Sequence, residues 1–378
     1  MRVAAVEAIT VSVPYRRREV SSVIARDGVT DVLVKITTDD GVVGWGEACS
    51  GADAASVEAA VAAMTPFVIG RDPWRRDAMR AAAFHRGLWK YRPMTGNYAW
   101  AGIDMALWDI CGHAAGQPVH SLLGGRRQDE VNYFYFLAQG SADDIADQCA
   151  EGLKAGFDVF YMKVGIGIAA ELGMLEVARQ QLGTEPRLRV DANGAWSIPE
   201  ALRNMRAMES FDIDFVEQPV PEHPLRGMAE VRQRSSIAVA ANEGLWTEAD
   251  ARDSIEAHVA DVYTFSSSWT GSLSSFRRIG LLADAHGLHV CKHTHGELGI
   301  AAAAGQHVML TLPNGAGGNQ QTAFHIDSDV LESALPIASG PSWSADTAPG
   351  LGIVVDEDAV ADAAGRYQRD GQFLPYQD

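Results

Sequence analysis

The stretch Leu188-Arg189-Val190-Asp191-Ala192-Asn193-Gly194-Ala195-Trp196 carries the pattern from which the fold can be read. An apolar run ends in an acid and is followed at once by a turn-forming Asn-Gly pair. This is typical of a buried strand whose last side chain emerges into a site. The sequence therefore predicts that Asp191 lies at the end of a strand.

The same pattern recurs twice, each time 26 residues further along the chain. Phe215-Val216 runs into Glu217, and the run 237–240 is followed by Glu243. If each interval holds one helix, the three acids converge at one edge of a parallel sheet. Hard oxygen ligands gathered in this way suit Mg²⁺, which keeps coordination positions open for water or substrate. The alternative for each acid alone is that it caps the following helix.

Length and charge narrow the class of protein. A chain of 378 residues exceeds the size at which one core usually stops growing, so two structural units are expected. The net charge of -18 argues against nucleic acid and anionic membrane surfaces as partners. The composition is that of a soluble globular enzyme, and a small molecule is the expected partner.

Targeting signals are not evident from the sequence. The longest apolar run, 298–312, is broken by Gln306 and His307, so no membrane span is predicted. Met1-Arg2 leads directly into an alternating pattern rather than a signal peptide. The four cysteines have no CxxC spacing and are interpreted as reduced core residues of a cytoplasmic protein: Cys49, Cys111, Cys149 and Cys291.

The first 127 residues predict an α+β domain. Residues 1–50 alternate as strands with a turn at Thr38-Asp39-Asp40-Gly41, and a polar loop with Arg16-Arg17-Arg18 is expected between the first two strands. From residue 52 the period becomes helical until Gly124-Gly125. The boundary is placed at residue 127.

Residues 128–340 alternate short apolar runs with helix-length segments, which favours a parallel βα architecture. Seven strands are predicted at 131–137, 159–164, 188–190, 214–216, 237–240, 262–265 and 288–291, with an eighth near 319–323. The prediction is a modified (β/α)8 TIM barrel of the α/β class, with its site at the carboxyl ends of the strands. A doubly wound sheet is the alternative, although no GxGxxG follows any of these strands. Residues 341–378 are expected to pack back on the first domain.

One strand before Asp191, the alternation places Tyr161 and Lys163 on one face. A lysine beside a bound Mg²⁺ has its charged form disfavoured, so the sequence predicts that the pKa of Lys163 falls toward that of a general base. The alternative is a lysine that extends from the strand end into solvent.

Basic residues also end the seventh predicted strand. In Cys291-Lys292-His293-Thr294-His295, the two histidines share a face and Lys292 takes the other, so at least one basic group should reach the site. Histidine is the commonest general acid or base near neutral pH. A structural histidine is the alternative.

Taken together, these residues resemble the enolase superfamily, specifically its mandelate racemase and muconate lactonizing branches. The resemblance covers nearly the whole chain and is carried by four motifs: 39–47 (DDGVVGWGE), 102–109 (GIDMALWD) followed by 122–125 (LLGG), 190–193 (VDAN) and 216–219 (VEQP). It implies an N-terminal α+β capping domain over a modified barrel, with Mg²⁺ held by Asp191, Glu217 and Glu243. The shared chemistry that it implies is abstraction of the proton α to a carboxylate, with the enediolate stabilised by the metal.

The chain departs from the family pattern at several positions. Tyr161 stands where the family has the first lysine of Lys-x-Lys. Ser266 stands at the sixth strand, where relatives have Asp or Lys, so His293 lacks the expected acidic partner. Glu297 falls where the muconate branch places a glutamate, and the segment 319–321 offers amides where relatives often have an acid.

From this pattern the sequence predicts a Mg²⁺-dependent dehydratase of a hydroxylated carboxylate such as a sugar acid. Lys163 is the expected base, with His293 or His295 as the acid. The predicted substrate contacts are Tyr161, Asn193, Lys292, His295, Glu297 and Gln320. Specificity is expected in the loop 15–30, in the region 49–53 and in loops at the barrel mouth.

Three alternatives stay open. Racemisation, epimerisation or cycloisomerisation would keep the metal and Lys163, and a racemase would need a second base such as His293. A relative that binds metal and carboxylate without catalysis is an alternative of another class. A His-x-His amidohydrolase is disfavoured, because that motif arrives here after six strand-helix units. Homo-oligomers are expected because relatives assemble.

Overall fold

The computed structural model describes residues 1–49, 53–87 and 94–374. Of the predicted specificity region 49–53, residues 50–52 lie outside this range. Within the described residues, no helix combines the length and the apolar character needed to cross a bilayer.

The N-terminal part begins with a three-stranded antiparallel sheet in the order β1-β2-β3. Its strands are β1 Val3–Val20, β2 Ala25–Thr38 and β3 Val43–Cys49. The predicted meander is confirmed, but the prediction that Arg16-Arg17-Arg18 form a loop is wrong. The pairing of β1 with β2 continues past an irregularity to Glu19↔Arg26, so the arginines lie within a long hairpin.

The α-helices of this part, among the described residues, are α1 Ala54–Met64, α2 Arg76–Gly87, α3 Thr95–Ala115 and α4 Val119–Leu122. Helix α3 packs against β3 through glycines of two motifs. A Cβ added at Gly46 would lie 1.9 Å from the carbonyl oxygen of Gly102, so only glycine allows this approach. The contact between helix α3 and the sheet therefore explains the glycines in the motifs 39–47 and 102–109.

The second part is a seven-stranded parallel sheet in sequential order from β5 to β11. Its strands are β5 Tyr135–Leu137, β6 Val159–Lys163, β7 Arg187–Asp191, β8 Ile213–Glu217, β9 Ala238–Ala241, β10 Val262–Phe265 and β11 His289–Lys292. The helices that cover it are α5 Ala142–Lys154, α6 Ile168–Leu182, α7 Ile198–Met208, α8 Arg226–Arg234, α9 Glu248–Glu256, α10 Ser267–Thr270, α11 Leu273–Ala285 and α12 Gly299–Met309. Capping boxes start α5 at Ser141 and α7 at Ser197, which fixes where the preceding loops end.

The barrel closes without a regular eighth strand. In the region predicted to form it, single parallel bridges join Gly315 to Val290 of β11 and Asn319 to Tyr133, which lies just before β5. Three glycines in 315–318 disfavour a continuous strand, so the segment bridges the two edges at isolated points. The sequential strand order and the bridged edges are those of a TIM barrel and not of a doubly wound sheet.

The C-terminal segment contacts both parts of the chain. Strand β12 Ser342–Ser344 pairs with the short strand β4 Glu130–Asn132. Asp109 of α3 accepts hydrogen bonds from the backbone N–H groups of Trp45 (3.0 Å) and Leu351 (2.8 Å). The last helix, α13 Glu357–Asp370, packs on β1.

Candidate active site

The residues predicted to be functional meet at the carboxyl ends of three neighbouring strands. Lys163 ends β6, Asp191 ends β7 and Glu217 ends β8, and the strand register pairs Lys163 with Asp191 and Asp191 with Glu217. Glu243 lies two residues after the end of β9. Asp191 and Glu217 are therefore in register, whereas Glu243 lies beyond Ala240, the register partner of Glu217.

Asp191 is a buried carboxylate surrounded by hydrogen-bond donors. Its Oδ2 accepts from the Lys163 ammonium and from the Tyr161 hydroxyl, each at 2.6 Å. Its Oδ1 accepts from the backbone N–H of Asn193 at 2.7 Å. Tyr161 therefore occupies the place beside the metal-ligand candidate that the resemblance assigns to a lysine, and it donates a hydrogen bond without adding a charge.

Glu217 and Glu243 are buried beside other carboxylates, and both have a raised pKa. Burial raises the pKa of Glu217 well above its usual value, and the neighbouring carboxylates of Asp191 and Glu243 raise it further. Burial and Asp191 together raise the pKa of Glu243 to about 7. Gln320 donates to Glu217 at 3.1 Å, and Asn193 donates to Glu243 at 2.9 Å.

This environment suits a divalent cation. Oε2 of Glu243 is buried and has no hydrogen-bond partner among the described residues. Burial and the charge of Asp191 raise the pKa of both Glu217 and Glu243, and that oxygen of Glu243 is left unsatisfied. The three carboxylates together are the donor set and the charge that Mg²⁺ would compensate. Asp191, Glu217 and Glu243 therefore fit the metal as ligands.

A second group of ligand-type residues lies where the cap meets the barrel. Ligand atoms of Asp31, Glu47 and Cys49 lie within 4.8 Å of one another. Glu47 accepts from the backbone N–H groups of Leu298 (2.7 Å) and Ala301 (2.9 Å) at the start of α12. Both of its oxygens are thus used to cap a helix, and we interpret this group as structural.

The pKa of Lys163 moves in the direction opposite to that predicted from the sequence. Burial alone would lower this pKa, but the contact with Asp191 and the fields of Glu19 and Glu217 raise it above the ordinary value. The prediction of a lowered pKa assumed a dication beside the amine. In the structure the nearest charged partner of Lys163 is instead a carboxylate, 2.6 Å away.

His293 and His295 share an aromatic partner that sequence reasoning missed. The ring of Trp269 lies 4.4 Å from that of His293, and its indole N–H donates to Nδ1 of His295 at 3.3 Å. An indole can only donate, so the imidazole nitrogen that faces it must be unprotonated. The proton of neutral His295 is therefore on Nε2.

Both histidines are neutral. Burial, together with His295, lowers the pKa of His293 well below its usual value. Burial, together with Arg26, lowers the pKa of His295 to about 3. Nδ1 of His293 is buried without a hydrogen-bond partner among the described residues. At the sixth strand, Ser266 stands in the place of the expected acid and caps the short helix that carries Trp269.

The structure contradicts the prediction that Lys292 and Glu297 contact substrate. Alternation along β11 turns Lys292 away from the barrel interior, where its side chain packs on Gly305 of α12 and is 1% exposed. Its ammonium pairs with Glu297 and donates to the carbonyl oxygen of Gln320 at 3.2 Å. The pair lines neither of the cavities at the barrel mouth, so we interpret it as structural.

The hairpin of β1 and β2 covers the barrel mouth. Ser22 donates to the carbonyl oxygen of Ala192 at 2.8 Å, and Arg26 donates to that of His295 at 3.0 Å. Arg26 also pairs with Glu19 at 2.8 Å, and both side chains are largely buried. These contacts link sequence positions far apart, which is why no local pattern predicted them.

Two cavities meet at Lys163 beneath this hairpin. The first is lined by Lys163, Asn193, Glu243, His293, His295 and Trp269, among others. The second is lined by Lys163, Tyr161, Gln320, Gln321 and Tyr15, among others. The amine of Lys163 therefore faces a space bounded on one side by the carboxylates and histidines and on the other by the hairpin.

Comparison with known proteins agrees with this geometry. Residues 5–124 match the family described as mandelate racemase / muconate lactonizing enzyme, N-terminal domain, and residues 144–359 match the enolase C-terminal domain-like family. The chain belongs to the enolase superfamily. It is a member of the mandelate racemase and muconate lactonizing type, as the sequence motifs predict.

Relatives in this superfamily catalyse different reactions. The chain is 31% identical to D-galactarolactone cycloisomerase of Agrobacterium fabrum, over 88% of this chain and 90% of the relative. It is 29% identical to L-Ala-D/L-Glu epimerase of Bacillus subtilis, over 94% and 97%. It is 27% identical to a D-galactonate dehydratase family member of Streptomyces bingchenggensis, over 94% of each.

A solved structure shows the same architecture along the whole chain. An enolase of Streptomyces coelicolor superposes with a TM-score of 0.89 at 30% identity, covering 98% of this chain and 99% of that one. The predicted fold, a modified barrel with an N-terminal capping domain, is therefore confirmed. Because the relatives differ in reaction, the reaction has to be argued from the site.

Proposed function

We propose that this protein catalyses a Mg²⁺-dependent β-elimination from a hydroxylated carboxylate of the acid-sugar class. The observation that carries the proposal is the position of the Lys163 amine, at the junction of two cavities and 2.6 Å from Asp191. In such an elimination a base removes the proton α to the carboxylate, and an oxygen departs from the β-carbon. Two of the relatives are named for acid sugars or their lactones, which supports this substrate class.

Asp191, Glu217 and Glu243 would hold the metal. When bound, Mg²⁺ supplies positive charge that stabilises the developing enediolate. Gln320 and Asn193 each donate to one ligand carboxylate, and Tyr161 donates to Asp191. These bonds orient the ligand oxygens, which is the usual function of groups in the second shell of a metal site.

Lys163 is the proposed base. Burial disfavours its charged form, and Asp191 is what holds the pKa up. If Asp191 served as a metal ligand, its negative charge would act less on the amine. Burial would then be the main influence on the pKa of Lys163 and would lower it. The deprotonated amine can then take the α-proton of a substrate carboxylate in the cavity that it lines.

The protonation states of His293 and His295 determine which leaving group on the β-carbon they can assist. His295 presents an Nε2–H because Trp269 occupies its other nitrogen, so it can donate a hydrogen bond to an oxygen but cannot take a proton there. His293 is neutral in the structure. A hydroxyl group must be protonated in order to leave, and a neutral imidazole is a poor source of that proton. When the β-oxygen belongs to a lactone ring, it leaves as a carboxylate as the ring opens and needs no proton.

Two leaving groups are therefore compatible with the proposed elimination. Dehydration of a sugar acid needs His293 to bind a proton before the hydroxyl departs. Cycloisomerisation of a sugar-acid lactone needs only Lys163 and a hydrogen-bond donor. The lowered pKa of both histidines favours the lactone as the better substrate.

Racemisation or epimerisation is the second candidate function. The observation that favours it is the unpartnered Nδ1 of His293, in the same cavity as Lys163. A neutral imidazole with a free nitrogen can accept a proton, so His293 could act on the face of the α-carbon opposite Lys163.

One experiment separates these reactions. Purified protein with Mg²⁺ is incubated in deuterated water with a panel of aldonic acids, aldaric acids and their lactones, and products are followed by NMR. We expect a product that has lost its β-oxygen, with lactones reacting faster than the open acids. Deuterium at the α-carbon without loss of oxygen would establish racemisation instead. Absence of both, together with measurable binding of acids, would establish a binder without catalysis.

A further inference from the structure

The cavity beneath the hairpin is lined by polar atoms that no described residue satisfies. The hydroxyl of Tyr15, Nε2 of Gln321 and Nε2 of His325 are each buried and have no hydrogen-bond partner among the described residues. All three residues line this cavity. Buried polar groups are normally paired, so three unpaired groups around one space indicate a missing ligand.

The orientation of Gln321 identifies what it requires. Its side chain is 3% exposed, and its Oε1 accepts from the backbone N–H of Phe324 at 3.0 Å. This bond fixes which end of the amide is oxygen, so the unpaired end is the NH₂ group, which can only donate. The complementary ligand atom must be an acceptor such as a hydroxyl oxygen.

The charged groups at this cavity already have partners. Arg26 pairs with Glu19 at 2.8 Å, Arg17 with Glu151 at 2.9 Å and Arg18 with Asp27 at 3.8 Å. Burial lowers the pKa of His325 to about 4, so its ring is neutral as well. The cavity therefore offers neutral hydrogen-bonding groups, which suit hydroxyl groups better than a second carboxylate.

Aromatic rings form the floor of the cavity. Phe134 stacks on Tyr161 at 4.3 Å, and Phe136 meets the ring of His325 edge-on at 5.0 Å. An apolar floor with a few converging polar groups resembles a binding pocket for a molecule with an apolar face and polar edges. The carbon chain of a sugar acid has both.

We propose that this cavity is a subsite for the hydroxylated tail of the substrate, with Gln321 as a hydrogen-bond donor and with Tyr15 and His325 as further neutral hydrogen-bonding groups. The proposal rests on the proposed function, because it places the substrate carboxylate at the metal ligands and the α-carbon at Lys163. From Lys163, which lines both cavities, the remaining carbons extend beneath the hairpin. The three residues thereby select chain length and polarity.

The test compares the affinity of short and long acids. Binding of D-glycerate, D-gluconate, D-galactonate and galactarate is measured by calorimetry with Mg²⁺ present, in a Lys163→Met background so that no turnover consumes the ligand. We expect gluconate or galactonate to bind about ten-fold or more tightly than glycerate, since each added hydrogen bond to a hydroxyl is worth about five-fold. Galactarate should bind less tightly than the acids with a neutral tail.

Two variants test the named groups. Tyr15→Phe removes only the unpaired hydroxyl, and Gln321→Glu keeps the acceptor for Phe324 while removing the donor. Each should weaken the six-carbon acids about five-fold and leave glycerate unchanged. Gln321→Glu should weaken galactarate the most, because it places two carboxylates together.

Tyr133→Phe is the matched control. The hydroxyl of Tyr133 is buried and donates to Gln306 at 2.7 Å, and neither residue lines this cavity. Its loss should lower the melting temperature and leave every affinity unchanged. Tyr15→Phe should leave the melting temperature unchanged and weaken the binding of the six-carbon acids, because its hydroxyl has no partner among the described residues when no ligand is bound.

The outcomes separate the subsite from the function on which it rests. Equal affinity for glycerate and the six-carbon acids, or equal losses for both in the variants, would overturn the subsite and leave the proposed function standing. Failure of every acid to bind, glycerate included, in both the Lys163→Met and the unmodified protein would overturn both.

Discussion

Two buried lysine–carboxylate pairs lie at the same end of the barrel, and they differ in what surrounds them. Lys163 pairs with Asp191 inside the mouth, whereas Lys292 pairs with Glu297 behind the wall formed by β11. The Lys163 side chain is 11% exposed and lines two cavities, while that of Lys292 is 1% exposed and packs on Gly305. The first pair lies beside cavities that could hold a ligand, and the second does not.

The groups that surround a buried ion pair determine whether the pair has a function beyond stability. Asp191 has two further carboxylates beside it, so the negative charge near Lys163 exceeds what one ammonium can balance. Glu297 has Lys292 as its main charged partner, and that site is saturated. We therefore expect mutation of the first pair to affect chemistry and mutation of the second to affect folding.

The largest expected effect follows from Lys163→Ala. Removal of the base should lower turnover by about 10³-fold or more, because general base catalysis typically contributes 10²–10⁴-fold. With Mg²⁺ saturating, the melting temperature should change little, because Asp191 keeps the hydrogen bonds from Tyr161 and the backbone of Asn193 and would have the metal as its cationic partner. Product formation from the acid-sugar panel and a thermal melt give the two readouts. Turnover that survives in Lys163→Ala would assign the base elsewhere, with His293 the next candidate.

Lys292→Met should have the reverse signature. It leaves Glu297 as an uncompensated buried charge, which costs about 3–5 kcal/mol of unfolding free energy. Urea unfolding measures this loss, and the fraction that remains folded should keep its turnover. The double variant Lys292→Met/Glu297→Met should recover most of the stability, because it removes both charges together. A single variant as stable as the unmodified protein would show that the pair is not structural.

The affinity for Mg²⁺ should depend on pH through the protonation of Glu243. Burial and Asp191 raise the pKa of Glu243 to about 7, so protons compete with Mg²⁺ for this carboxylate below that pH. Affinity for Mg²⁺ should therefore rise as the pH increases from about 5 to above 7. Calorimetric titration with Mg²⁺ across this range measures the effect, and Glu243→Gln should abolish it. A flat profile in the unmodified protein would remove Glu243 from the ligand set.

The same raised pKa has a consequence for stability without metal. A carboxyl group whose pKa is higher in the folded than in the unfolded state binds more protons when folded, so the folded state is favoured at low pH. That advantage is lost as the pH rises from the unfolded value toward about 7. Metal-free protein should melt at a lower temperature at pH 7.5 than at pH 5.5, and saturating Mg²⁺ should reverse the order.

The smallest expected effect follows from Trp269→Phe. The variant keeps an aromatic ring beside His293 but removes the N–H that sets the tautomer of His295. The loss of one neutral hydrogen bond should lower turnover roughly five-fold. Nitrogen-15 NMR should show His295 with its proton on Nε2 in the unmodified protein and as a mixture of tautomers in the variant. An unchanged spectrum would mean that Trp269 does not position His295.

Local patterns were sufficient for the barrel and for the placement of its acids. Asp191, Glu217 and Glu243 each follow an apolar run, and neighbouring parallel strands bring their carboxyl ends to one edge whatever the details of packing. Their role as metal ligands stays a prediction. The eighth strand was predicted less well, because bridges at single residues leave no continuous apolar run to detect.

Contacts between distant segments could not be predicted in this way. Trp269 meets both histidines because α10 follows β10 immediately and turns its indole across to the next strand. The hairpin reaches Ala192 and His295 only because β1 continues past its irregularity to Val20. Lys292 was predicted to contact substrate, although its alternation with His293 already indicated the opposite face of β11.

The sequence by itself determined the superfamily, the order of strands and the acids at their ends, because each depends on residues that are neighbours along the chain. Tertiary structure alone decided the ionisation of Lys163 and of both histidines, the tautomer of His295 and the covering of the mouth by the hairpin. Those properties depend on burial and on charges brought together from far-separated segments. Electrostatic energies vary with distance and local dielectric, and neither can be read from residue spacing.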